Sequence, residues 1–163
     1  MATQGCQCGY LGDTQRTCSC TIQQVQRYRS RVSGPLLDRI DIQVEVRPVA
    51  YSDLSAHAAA EPSAAIRARV CRARQVQLER FRGRLFRNAQ IGARDLRTYC
   101  LMDPAADQLL RQAMEKLALS ARAYTRILKV ARTIADLDGS DPIRAAHVAE
   151  AIQYRSLDRG PQR

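Results

Sequence analysis

The sequence predicts a mainly α chain: a helical bundle at the C-terminal end, preceded by a segment with one strand and a possible four-cysteine zinc loop. Three observations predict it. From residue 63 onward apolar residues recur at helical spacing. One run, Ile40-Asp41-Ile42-Gln43-Val44-Glu45-Val46, alternates with a period of two. Four cysteines crowd into residues 6–20.

The 163 residues amount to one moderate domain or two small lobes. A hydrophobic content of 45% can build a core, but aromatics are only 5% and Trp is absent, so that core is Leu, Ile, Val and Ala. No run is apolar for long enough to span a bilayer, and the N-terminus lacks a charged-then-apolar signal pattern. A cytoplasmic chain with no membrane partner is expected. The net charge of +10 suits an acidic partner such as DNA. The alternative is genomic. Lys116 and Lys129 are the only lysines, and abundant Arg beside abundant Ala also follows from a GC-rich genome.

The elements follow in order. In the alternating run, Ile40, Ile42, Val44 and Val46 should face a core, and Arg47-Pro48 stops it. A lone strand cannot fold, so it needs sheet partners. Residues 49–62 read as a connector. Ser63 can cap a helix running to about Arg82, with Ile66, Val70, Ala73, Val76 or Gln77, and Phe81 near one face. Residues 83–92 are loose, and 93–100 form a short helix. Asp103-Pro104 starts a helix to about Leu117, because Asp caps and proline suits the first helical position. Ser120 caps the next, whose buried face is Tyr124, Ile127 or Leu128, Ala131, and Ile134 or Ala135. Asp141-Pro142 caps the last, through Ala145, Val148 or Ala149, and Ile152. Short links make these three antiparallel neighbours.

Cys6, Cys8, Cys18 and Cys20 form two close pairs separated by a loop, a supply of four soft ligands for a tetrahedral zinc ion. Such a site is structural, because four thiolates leave no position for water. Unmetallated thiols and disulfides remain the alternatives. Cys71 and Cys100 read as apolar fillers. Arg39 lies between Asp38 and Asp41. It is either salt-bridged or a cation presented to a phosphate, which its forked, permanent charge suits. Arg122 stands in the first turn of its helix, where a cation opposes the helix dipole unless it meets an anion. Arg122, Arg126 and Lys129 share a face, as a solvated basic stripe or a phosphate contact. His57 and His147 have no sequence partner for catalysis or metal binding. The chain has no GxxxxGK[ST] motif, so it is not expected to bind and hydrolyse ATP alone.

Taken together, Cys-x-Cys-Gly-Tyr … Cys-x-Cys, Ser33-Gly-Pro-Leu-Leu-Asp-Arg-Ile-Asp41 and Leu119-Ser-Ala-Arg-Ala-Tyr-Thr-Arg-Ile-Leu-Lys-Val-Ala-Arg-Thr-Ile-Ala-Asp-Leu137 resemble the magnesium-chelatase-like AAA+ ATPases, in their ComM-type competence branch. His147-Val-Ala-Glu-Ala-Ile-Gln-Tyr-Arg155 completes the resemblance. It implies an arginine finger at Arg39, acting in trans on a neighbour's ATP, and a sensor-2 arginine at Arg122, with Arg126 beside it, touching phosphates in cis. It also implies ATP and Mg2+ as cofactors of a full-length parent, self-assembly into a hexameric ring, and DNA branch migration during transformation. True chelatase subunits instead drive magnesium into protoporphyrin. A free-standing zinc-and-helix nucleic-acid module is the reading from another class. The organisation the resemblance implies is 1–48 as the tail, or remnant, of an α/β nucleotide-binding core carrying the Cys cluster and finger segment, 49–100 as connector and basic helix, 101–157 as helical lid, and 158–163 as disordered tail. The Walker A and Walker B segments are missing, and Met1-Ala2-Thr3-Gln4-Gly5 stands where the family has Asn-Pro before the first Cys. The chain is thus expected to be the back end of a larger ATP-driven enzyme.

Overall fold

A computed structural model describes residues 2–13, 15–32, 34–37, 39–46, 49 and 60–155. Its contacts divide the chain into two units, one of Met1–Ile40 with Val44–Ala58, the other of Asp41–Gln43 with Ala59–Arg163. The described residues are mainly helical, as the sequence predicts. Their one β-pairing is an isolated parallel bridge between Met102 and Ile143. His57 lies outside the described residues, as do Asp38 and the Arg47-Pro48 stop.

The first unit opens with the cysteine loop and continues into helix α1, Ile22–Arg29, and the short α2, Gly34–Leu37. Helix α1 is absent from the sequence reading because it buries no residue, so it has no apolar stripe to detect. Its signal is instead a capping box: Gln24 N donates to the Thr21 hydroxyl at 3.3 Å and Thr21 N to Gln24 Oε1 at 2.9 Å.

The expected strand is not a strand. Residues 40–46 make no ladder among the described residues, and Ile42, Val44 and Val46 are 50%, 62% and 86% exposed. Gln43 is the buried member, its amide donating to Tyr154 O at 2.8 Å. The alternation is real, but with no described neighbouring strand to make a sheet face, one backbone bond to a helix end sets which residue turns inward.

In the second unit, α3 spans Ser63–Phe81, and Pro62 rather than Ser63 occupies the cap position, with no side-chain capping bond. Its buried residues are Ala73, Gln77 and Phe81, one turn apart, while Ile66 and Val70 stay exposed. It stops at Arg82 and Gly83, both left-handed (φ 48° and 80°). A 3-10 turn, Asn88–Gln90, and the short α4, Leu96–Tyr99, follow. Phe81 meets Tyr99 edge-on, ring centres 5.0 Å apart.

Helix α5, Pro104–Lys116, is capped by Asp103, whose Oδ1 accepts from Ala106 N at 2.7 Å. Helix α6, Ala121–Leu137, is capped by Ser120, whose Oγ accepts from Ala123 N at 3.1 Å. Its buried apolar stripe is Ala123, Ile127, Leu128, Ala131 and Ala135, and Tyr124 lies outside it. Helix α7, Ala145–Gln153, begins later than Asp141-Pro142 suggests. Ile143, fully buried, is held extended by its bridge: Ile143 N donates to Leu101 O at 2.8 Å and Asp103 N to Ile143 O at 3.0 Å. His147 then acts as the cap partner. Its Nδ1 accepts from Arg144 N at 3.0 Å, which leaves the proton on Nε2 to face Asp138 Oδ2 at 3.2 Å.

Helix α7 packs on both α5 and α6, while α3 and the 3-10 turn pack on α6. Their shared core includes Phe81, Ile91, Leu110, Ile127, Leu128, Ile143 and Val148. Beside it runs a buried polar cluster. The Asp136 carboxylate accepts from both terminal nitrogens of Arg80, from Arg132 Nε at 3.0 Å and from Asn88 Nδ2 at 2.8 Å. Arg132 also donates to Ser140 O at 2.6 Å and to Asp141 O, tying the end of α6 to the following turn. Its own pKa is lowered by burial, against the pull of Asp136. No described helix is long and apolar enough to cross a membrane.

Candidate metal centre and arginine sites

A C-x-C pair in an extended chain puts both side chains on one face but about 6.6 Å apart, so bringing both thiols onto one ion calls for a turn. Here the chain turns: Gly9 N donates to Cys6 O at 3.2 Å and Gly9 takes φ 84°, a conformation that favours glycine. Asp13 Oδ1 accepts from the Gln15 and Arg16 amides at 2.7 and 3.1 Å and shapes the return limb. Arg16 lies over the Tyr10 ring, 5.1 Å from its centre. Arg29 Nε donates to Gly5 O at 3.2 Å, fastening the loop to α1.

The four thiols converge. Sγ of Cys6 lies 3.3 Å from Cys8 and 3.6 Å from Cys18, Cys8 and Cys18 are 3.5 Å apart, and all four sulfurs lie within 4.8 Å of one another. A zinc tetrahedron with bonds of about 2.3 Å has sulfur–sulfur edges of about 3.8 Å. The cluster fits that size, and all four cysteines are free thiols. Cys6 is buried and the other three are half-buried, so the ligand set closes on its own interior.

Cys8, Cys18 and Cys20 titrate against one another. The Tyr10 backbone N–H, then the Cys6 thiol, hold Cys8 down to about 6. Cys18 is pushed up to about 12, because the pull of the Cys20 backbone N–H is outweighed by desolvation and by the neighbouring Cys8 and Cys6 sulfurs. Cys20 is also raised: the Cys8 backbone N–H pulls it down, and the Cys8 thiol and desolvation overcome that. One thiol gives up its proton readily, and its charge makes the next departure harder. A divalent cation removes that opposition by neutralising the sulfurs together. The donor set fits zinc in size and chemistry, and Cys6, Cys8, Cys18 and Cys20 could hold such an ion with no position left open for water.

The arginines fall in different units. Arg39 follows α2 in the turn closed by Arg39 N to Leu36 O at 3.0 Å, and it is exposed. Asp41, one of its expected acidic flanks, is ion-paired with Arg126. Arg122 is exposed in the first turn of α6, and its guanidinium meets no partner among the described residues. Arg126, one turn on, is half-buried against Asp41, and Lys129 Nζ donates to Ala89 O at 3.0 Å. The basic stripe is thus graded, with one end open to an anion and the other used internally.

Of the remaining cysteines, Cys100 fills the core as expected, and burial pushes its thiol up to about 11. Cys71 does not, being exposed on α3. Sequence reasoning missed Asp136 and the Asp41–Arg126 pair. The Asp136–Arg132 half had a signal, an i, i+4 pair on one helix, but nothing in spacing shows that it is buried.

Comparison with known proteins places the chain in a family. The family model described as magnesium chelatase, subunit ChlI C-terminal, matches residues 60–155. The one described as magnesium chelatase, subunit ChlI, matches residues 1–54. Competence protein ComM of Haemophilus influenzae is 40% identical over 151 residues, covering 92% of this chain and 28% of that protein. The uncharacterized protein YifB of Salmonella typhimurium is 39% identical over 151 residues, 92% of this chain and 29% of its own length. The uncharacterized protein Rv2897c of Mycobacterium tuberculosis is 36% identical over 139 residues, 85% and 27% respectively. The chain spans less than a third of the length of these relatives. With one family model covering more than half of its residues and another its N-terminal part, the chain belongs to the magnesium-chelatase-like family, among ComM-type relatives.

Proposed function

We propose that this chain supplies the arginine finger and sensor-2 elements of a magnesium-chelatase-like AAA+ ATPase whose hydrolysis remodels DNA. Arg39 is the finger, reaching across a ring interface to a neighbour's ATP. Arg122 is the sensor, meeting the phosphates of the Mg2+-bound ATP of its own subunit, with Arg126 fixed beside it by Asp41. The observation that carries the reading is Arg122: a permanently charged side chain at a helix N-terminus, unpartnered among the described residues and inside the stretch that matches the family. At that position a cation is unfavourable until an anion arrives, so its interaction is made with the ligand rather than with the fold.

In this role the four-cysteine centre holds zinc and braces the loop ahead of the finger segment. Ring assembly, a hexamer by family resemblance, brings each Arg39 to a site that its own subunit does not complete. DNA is the remodelled partner, in keeping with the net charge of +10 and the competence-protein name of one relative.

The test is made in a protein that joins this sequence to a complete nucleotide-binding half. Arg39→Ala should lower kcat by about a thousandfold or more with ATP binding retained. Arg122→Ala should weaken ATP binding as well. Loss of ATP binding on Arg39→Ala, or full activity in both variants, refutes the assignment. DNA-stimulated turnover separates a DNA remodeller from a chelatase subunit, which would respond to protoporphyrin instead.

A further inference from the structure

The first unit carries a cavity that none of these roles uses. It holds about 290 Å³ and is lined by Gln7 from the cysteine loop and by Gln24, Arg27, Tyr28 and Arg31 from α1 and its end. We infer that this cavity is a contact site for single-stranded nucleic acid, with Arg27 and Arg31 on phosphates and Tyr28 under an unpaired base. The inference rests on the DNA-remodelling reading and locates where the strand touches this chain.

Four observations support it. Helix α1 buries no residue, so its side chains are not needed for a core. Arg27, Tyr28 and Arg31 line one cavity, the first two from the last turn of α1 and Arg31 from just beyond its cap Ser30. Neither the Arg27 nor the Arg31 guanidinium has an ion-pair or hydrogen-bond partner among the described residues, and both are exposed. Within residues 1–40 five arginines face two aspartates, neither of which lies on α1. Basic residues at a helix C-terminus also favour the dipole, but that contribution is about 0.3–1 kcal/mol each and needs no tyrosine or cavity beside them. A tetrathiolate zinc centre is net negative. The arginines fastened to its loop are Arg16, on the Tyr10 hydroxyl, and Arg29, on Gly5 O; Arg27 and Arg31 make no such bond among the described residues.

A base inside a duplex is stacked on both faces and cannot lie on Tyr28, so the ligand is a single strand. Gln7 and Gln24 offer amides at the rim, able to donate and accept without selecting one base. The cavity is too small to enclose a long ligand and suits one nucleotide of a strand that continues over the surface.

The experiment uses the zinc-loaded full chain, a fluorescent oligothymidylate and the matching duplex, with anisotropy followed over a salt series. The parent chain should bind the single strand more tightly than the duplex. Arg27→Ala with Arg31→Ala should weaken binding by about tenfold or more and flatten the log–log salt slope by about 1.4, two phosphate contacts at about 0.7 each. Tyr28→Ala should weaken binding by about fivefold or more with the slope unchanged, and Tyr28→Phe should bind like the parent. Zinc content and helical circular dichroism must stay at parent values, which separates lost contact from lost fold. If the α1 variants bind like the parent while Arg67→Ala with Arg72→Ala on α3 abolishes binding, the site is wrong and the DNA reading stands. If the parent shows no salt-sensitive binding, the DNA reading itself falls for this chain. Preference for duplex, or displacement by a mononucleotide at equal phosphate concentration, overturns the ligand assignment.

Discussion

Replacing Asp136 by alanine should unfold the helical unit far more readily than any surface change. The Asp136 side chain is fully buried, that of Arg132 is 2% exposed and that of Arg80 14%. The carboxylate accepts from Arg80 twice, Arg132 once and Asn88 once. Alanine removes the acceptor and leaves the Arg132 guanidinium buried with only the Ser140 and Asp141 carbonyls for company. Breaking a buried ion pair from one side costs about 3–5 kcal/mol, most of it the stranded charge. With a urea dependence of about 2 kcal/mol per molar, the midpoint should fall by about 2 M. The assay is urea unfolding followed by helical circular dichroism. The internal control is Arg69→Ala, which breaks the half-exposed Arg69–Glu61 pair (44% and 46% exposed) and should cost less than about 1 kcal/mol. Adding Arg132→Met to Asp136→Ala should cost less than the two single changes together, since the stranded cation is gone. Equal, small losses for Asp136→Ala and Arg69→Ala would refute the reasoning, because the cluster would then be exchanging with solvent like a surface pair.

The cysteine centre should bind about one zinc per chain by elemental analysis. Removing zinc with a chelator, or Cys6→Ser, should lower protection of the residue 6–20 amides from hydrogen exchange while leaving the α5–α7 core protected; unchanged exchange in the loop would contradict the metal's bracing role. Ala118 sits in the left-handed region (φ 46°) just after Leu117, the cap of α5, with Leu119 N closing back on Met114 O at 3.2 Å. Glycine suits that position, so Ala118→Gly should stabilise the chain by about 0.5–1 kcal/mol in the same urea assay, against the usual direction of Ala-to-Gly changes. Of the two thiols outside the centre, exposed Cys71 should alkylate at pH 8 while Cys100 resists. Burial raises Cys100 from the ordinary 9.0 to about 11, so its thiolate fraction there is about a hundredfold below that of a free thiol. The raised folded value also means that Cys100 favours the fold below pH 9 and loses that contribution as pH climbs toward 11. Rapid, equal labelling of both residues at pH 8 by mass spectrometry would contradict the burial.

The helices that sequence located best are those whose ends carry chemistry. Asp103-Pro104 and Ser120 each act through one side chain on one amide, a local event that spacing reveals. Ser63 and Asp141 carry the same letters without the same role, because what decides there is tertiary: Pro62 precedes one, and the Met102–Ile143 bridge draws the other extended. Helix α1 escaped the apolar pattern for a related reason. Periodicity detects a buried face, and α1 has none. That gap is informative about function. This short helix contributes nothing to the core and is held by a capping box and by Arg29 on Gly5. Its C-terminal end and the turn after it present, beside Tyr28, Arg27 and Arg31, both guanidiniums unpaired among the described residues, so the helix is maintained by its neighbours rather than by its own burial. The same logic separates Arg122 from Arg126. Sequence put both on one face, and only the structure shows that Asp41 has taken Arg126 into the fold. Helix-face spacing shows which residues can act together, whereas a partner drawn from eighty-five residues away decides which of them still can.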